Sequence, residues 1–303
     1  MLLRKNIPPI YIIERVKNPV FFIVVYSLII YLLTKVANVA HLAIPITIPS
    51  ILGTTISLLL AFRTNQSYGR WWEARTLWGA IVNDSRTLVR QLISFSKYND
   101  HTNDISGDIV KAIAYRQIAW CYTLGNVLRE NPLSDIISKL ISKEEMKLLE
   151  VSVNKNHTLL QLHSNDIQKL LDMNVINRQQ QQLLDTTLTN LCNSMGGCER
   201  IKNTIFPTMF SIFINIFVYL FALSLPLGLI DVFGVSEIPL TTLTVASFFM
   251  IEKSCIDLQN PFDNRPTDTP VTSISRNIEI NLRQMIGETN LPEKIKAESF
   301  YIM

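Results

Sequence analysis

"LLLAFRTNQSYGRWWEAR", Leu58 to Arg75, is the place where one helix-grade run changes its material. It continues the uncharged apolar run "LAIPITIPSILGTTIS" and then turns polar, with Arg63, Arg70, Glu73, Arg75 and the adjacent tryptophans Trp71 and Trp72. No proline interrupts it, so nothing in the local sequence forces a break. A single helix is expected to start in an apolar environment and to continue into an aqueous one.

Composition supports the apolar half of that reading. Of 303 residues, 48% are hydrophobic and only 17% are charged, against roughly 25% charged in soluble domains. The formal net charge of +3 gives no field strong enough to argue for nucleic acid as a partner. Cys121, Cys192, Cys198 and Cys255 have neither zinc-finger nor redox spacing and are expected to be reduced. Basic residues near the N-terminus precede a long apolar run without a small-residue cleavage site, which predicts a retained anchor and not a cleaved signal.

Four stretches lack Asp, Glu, Lys and Arg: Asn18 to Thr34, Leu42 to Phe62, Asn203 to Ile230, and Ile238 to Ile251. A spanning helix needs about 20 mostly apolar residues. The first and third pass. The second passes while carrying Pro45, Pro49 and Gly53. The fourth is short, and its proximity to the third favours a helical hairpin. The expected spans are about 18–34, 42–62, 206–230 and 238–256.

Basic residues set the orientation. Arg4, Lys5, Arg15 and Lys17 precede the first span, and Arg63, Arg70, Arg200, Lys202, Lys253 and Arg265 flank the other inner ends. Only Lys35 and His41 lie between the first two spans, and only Asp231 and Glu237 between the last two. Both termini and the middle segment, about 68–202, are therefore expected in the cytoplasm, with a tail at 257–303 and the whole chain forming one domain.

The middle segment reads as amphipathic helices without strands. "DIVKAIAYRQIAWCYTLGNVLRE" places Ile109, Ala112, Ile113, Ile118 and Tyr122 near one face, and Asn131-Pro132 breaks it. "SDIISKLISKEEMKLLE" predicts a helix behind a serine cap, and "SNDIQKLLDM" another. "NRQQQQLLDTTLTNLCNSM" predicts one more, closed by Gly196-Gly197, its glutamines forming a solvated face.

A search for chemistry returns little. There is no phosphate loop, Walker pattern, HExxH or GxSxG. His157 and His163 are not spaced to share a helical face, and the carboxylates of "SKEEMK" fit a solvated helix. No enzyme and no cofactor is expected. The second span says more. Thr54, Leu58 and Phe62 recur every four residues, with Ser57 and Ala61 beside them, and form one helical stripe. Such a stripe serves either helix packing or a pore lined by narrow apolar rings.

"AFRTNQSYGRWWEARTLWGAIVNDSRTLVRQ", "GGCERIKNTIFP" and "IEKSCIDLQNPFDNRPTD" together resemble the bestrophin family, particularly its bacterial members. Their order and their position against the spans match the family from about Pro19 to Met285. The resemblance implies an all-α integral membrane protein: a homopentameric ion channel with four transmembrane helices per subunit and a helical cytosolic region, in the inner (plasma) membrane. Its partners are then further copies of itself, lipid and small monovalent ions.

By the same likeness, five copies of the second span form a neck at Thr54, Leu58 and Phe62. Thr54 departs from the bulky apolar residue that better-known members carry there. Arg70, Trp71 and Trp72 fall at the base of the neck, as supports and at the membrane interface. A cytosolic aperture falls at Phe206, beside Ile205. Animal members build a calcium clasp from an acidic run after "NPF". Here only Asp263 and Asp268 follow, so no high-affinity calcium site is expected. Asp263 is the one candidate ligand, and a turn or capping role is favoured for it.

Animal members pass chloride and other anions, which makes an anion channel the first expectation. A bacterial relative resembling this chain is described as selective for cations, and Asp231 and Glu237 at the outer mouth would favour Na⁺. The alternative of another class is a membrane-anchored scaffold whose helical cytosolic region binds a partner.

Overall fold

The computed structural model describes residues 2, 7–36, 43–96, 105–204, 207–297 and 300–302. Among them the secondary structure is helical, with one isolated antiparallel bridge between Leu2 and Tyr301. The chain divides into two compact units.

The first unit comprises 3–71 and 205–260. It contains α1 (Pro9–Tyr31), the start of α2 (Thr47–Ser96), α8 (Thr208–Phe233) and α9 (Glu237–Gln259). Three segments among the described residues are long and apolar enough to cross a membrane: Ile13–Thr34, Thr47–Ser96 and Thr208–Gln259. The last is broken at Gly234 into α8 and α9. Gly234 has φ 54 and ψ −129, a conformation that side chains resist and glycine accepts. The core of this unit joins Ile23 of α1, Ile56 and Leu60 of α2, Ile214 and Val218 of α8, and Val245 and Phe249 of α9. Phe21, Phe22, Ile212, Phe213 and Ile216 remain exposed, an apolar surface suited to lipid and not to water.

The second unit comprises residues 1–2, 72–204 and 261–303. It contains the rest of α2, then α3 (Ile105–Leu128), α4 (Asp135–Ser138), α5 (Lys143–Val151), α6 (Lys155–Asp172), α7 (Arg178–Asn203) and α10 (Val271–Met285). Expectation and structure differ here in three ways. α3 is buried nearly all round, from Ile113 to Gly125, while Ala112 is exposed. It is the central helix and not an amphipathic one, because α6, α7 and α10 all pack on it. The segment after Ser134 is two helices. The second is held by a full capping box, in which Ser142 accepts from the Glu145 amide and Glu145 accepts from the Ser142 amide. Finally, α7 runs through Gly196-Gly197 to Asn203.

Two sets of buried polar groups in this unit are tied to one another. Trp120 Nε1 donates to the Asn156 carbonyl at 3.1 Å, and Asn156 Nδ2 returns a 3.1 Å bond to the Trp120 carbonyl. Tyr122 Oη donates to Glu279 at 2.7 Å, and Glu279 also meets Arg283 at 3.0 Å. Burial and the adjacent carboxylate push the Tyr122 phenol well above its ordinary pKa, so it stays a donor. α10 thus locks a segment that the sequence presented only as a tail.

Candidate functional site

α2 is 50 residues long, about 75 Å at 1.5 Å per residue. About 20 residues suffice for a bilayer core, so one uninterrupted helix outruns the membrane.

Its two faces differ sharply before Trp71. Ile56, Leu60, Arg63 and Ser67 are buried. Thr54, Leu58 and Phe62 are exposed on the other side, Leu58 by 59% and Phe62 by 58%. The stripe read from the sequence is the face that the chain's own helices leave uncovered. Its hydroxyls are turned inward. Thr54 Oγ1 donates to the Ser50 carbonyl at 2.9 Å and Ser57 Oγ to the Gly53 carbonyl at 2.8 Å. That leaves an outward surface poor in donors.

The buried face carries polar ties to α9. Arg63 Nη1 lies 3.5 Å from Glu252 Oε1, and each side chain is only 2% exposed. Thr64 Oγ1 is 3.0 Å from Cys255 Sγ. Arg70 Nε donates to the Gln259 carbonyl at 2.9 Å. Arg15 of α1 forms an ion pair with Asp257 of α9. Tyr68 and Trp71 stack with ring centroids 6.0 Å apart, while Trp72 stands exposed. The sequence marked Arg70 but missed the Arg63–Glu252 pair. The available signal was a single charge ending each of two apolar runs, one on α2 and one on α9.

Elsewhere the expected residues separate. Asp231 is exposed at the end of α8, whereas Glu237 is fully buried in the first turn of α9. The two carboxylates therefore do not share one surface. Asp263 lies 3.5 Å from Lys202 and 3.2 Å from Arg265, as a charge-paired turn residue. No group of three or more His, Cys, Asp or Glu is gathered among the described residues. Ile205 and Phe206 fall outside the described residues.

The family model for the bacterial and fungal bestrophins matches residues 10–284. The chain belongs to the bestrophin family. Among relatives, the voltage-dependent anion channel-forming protein RSc3414 of Ralstonia nicotianae is 28% identical, over 90% of this chain and 90% of its own. The voltage-dependent anion channel-forming protein YneE of Escherichia coli K12 is 29% identical, over 86% of this chain and 84% of its own. Among solved structures, a bacterial bestrophin homologue from Klebsiella pneumoniae superposes with a TM-score of 0.84 at 26% identity, covering 91% of this chain and 99% of that one. Family membership and the apolar helices together make this bestrophin a membrane protein.

Proposed function

We propose that the chain is one subunit of a homopentameric channel for small monovalent anions in the inner membrane. Four spans, at α1, the first part of α2, α8 and α9, cross the bilayer, with both termini in the cytoplasm. Thr54, Leu58 and Phe62 form the neck, and Ile205 and Phe206 the cytosolic aperture. Arg70, Trp71 and Trp72 brace the base of the neck.

The observation that carries the reading is the exposure of Leu58 and Phe62 on a helix whose opposite face is buried. Large apolar side chains are not left uncovered in such a line unless something else meets them. Symmetric copies around an axis meet them with one another. Anions are assigned as the permeant class because the relatives are named as anion channel-forming proteins.

Purified protein in planar bilayers under a KCl gradient tests this. Unitary currents reversing toward the chloride equilibrium potential are expected. Reversal toward potassium would make it a cation channel. Silence at any voltage would favour the scaffold.

A further inference from the structure

Among the described residues the neck face of α2 is left exposed, so its facing is set from behind. Most of what lies behind is aliphatic. Ile56 and Leu60 meet α8 and α9 through contacts that are non-directional and tolerate rotation. The polar contacts to α9 include the ion pair of Arg63 with Glu252, Thr64 with Cys255, and Arg70 with the Gln259 carbonyl. Arg63 and Thr64 are adjacent on α2 and Arg70 follows nearly two turns later, while their partners Glu252, Cys255 and Gln259 lie on successive turns of α9. Arg63 with Glu252 is the one of the three that joins two full charges. Lys253 also lies 3.6 Å from that carboxylate.

Burying both charges is expensive, and an apolar pair of similar volume commonly holds two helices at least as well. Stability is therefore a poor reason for the pair to stand there. A charged pair differs from an apolar one in geometry: it is satisfied at one setting of the two helices and is lost when either rotates. Ionisable side chains within membrane segments are rare and mark function by default. Phe62 directly precedes Arg63, so the two point about 100° apart around the helix. Fixing Arg63 on Glu252 fixes where Phe62 points, and Leu58 with it, one turn earlier.

We infer that Arg63 and Glu252 are a positioning pair that sets the rotation of α2, and so aims Leu58 and Phe62 at the pore axis. This rests on the neck reading above.

The test is the double variant Arg63→Met/Glu252→Met, recorded in bilayers beside wild type and Leu58→Ala. The double variant removes both charges together, so neither is left stranded. Its assembly and melting temperature are expected to stay near wild type. Unitary conductance or open probability should change by about two-fold or more, the lower end of couplings between residues in contact. Several conductance levels should replace one. Unchanged currents overturn the inference, as does a lowered melting temperature with wild-type currents. A Leu58→Ala with wild-type conductance and open probability removes the neck, and the inference with it. A responsive Leu58→Ala beside an unchanged double variant removes the inference alone.

If the double variant does not assemble, Glu252→Gln in a Phe62→Cys background is read by the rate of thiol modification. The rate should differ at least two-fold from that of Phe62→Cys alone. Equal rates overturn the pair.

Discussion

A Cβ placed on Gly197 would stand 2.8 Å from Cδ1 of Leu77 and 2.9 Å from its Cδ2. The backbone of α7 thus lies directly against a leucine of α2. The residue is glycine because of that approach and not because the helix ends. Its neighbour Gly196 has nothing within 4 Å of the same position. Gly197→Ala is expected to cost about 1–3 kcal/mol through overpacking. Gly196→Ala should gain up to about 1 kcal/mol of helix propensity. Melting curves in one detergent compare them, and equal curves would refute the close contact.

That glycine pair also indicates where sequence reading stopped. Gly-Gly after a periodic helix is a local stop signal, but its cause lies on another helix, far away in the chain. The full burial of α3 was hidden for the same reason: periodicity reports one apolar face, while Arg116, Gln117 and Thr123 are buried by neighbours that no local pattern names. The legible features were those set by the solvent. Charge-free runs gave the apolar helices, and the four-residue stripe gave the exposed face of α2. Arg63 and Glu252 were visible only as charges at the ends of those runs, since pairing requires both helices to be in place.

His163 is fully buried, and neither ring nitrogen has a hydrogen-bond partner among the described residues. Burial, and then the Arg116 guanidinium, hold its pKa well below the ordinary histidine value. The unfolded chain therefore takes up this proton before the folded one does. The resulting stability is complete above the unfolded value of about 6.5 and is lost as pH falls below it, by up to about 1.4 kcal/mol per pH unit. His163→Leu should flatten the decline in melting temperature between pH 7 and pH 5. An unchanged slope would show that the histidine does not cause it.

Ser236 is exposed in the short turn between α8 and α9. On the proposed topology that turn lies outside the cell. In intact cells, Ser236→Cys should react with a membrane-impermeant thiol reagent added externally. Labelling that requires broken cells would invert the topology.

Native mass measurement of the detergent-solubilised complex should give five times the 34.6 kDa of one chain. Closed rotational symmetry is the simplest way to cover an apolar stripe repeated on every copy. A monomer or dimer under mild conditions would leave Leu58 and Phe62 uncovered and would remove the pore.

Leu58 and Phe62, four residues apart on α2, project from the same face. In the proposed pentamer, five copies would make two stacked apolar rings. A narrow apolar ring is hard to wet, and an ion crossing it gives up hydration without gaining protein ligands. Leu58→Ala widens one ring and shortens the dry length. Unitary current or open probability should rise roughly two- to ten-fold, the response to about 0.4–1.4 kcal/mol of barrier. The sign of selectivity should change less, because neither ring carries charge, and Phe62→Ala should act in the same direction. Ordinary packing makes the opposite prediction. Truncating a buried leucine leaves a cavity costing about 2–5 kcal/mol, which would weaken the assembly and leave conduction unaltered. Within its own chain Leu58 is more than half exposed, so little intrachain packing is lost on truncation. Single-channel recording beside a thermal melt separates the two: a destabilised complex with wild-type conductance and open probability would sink the neck assignment.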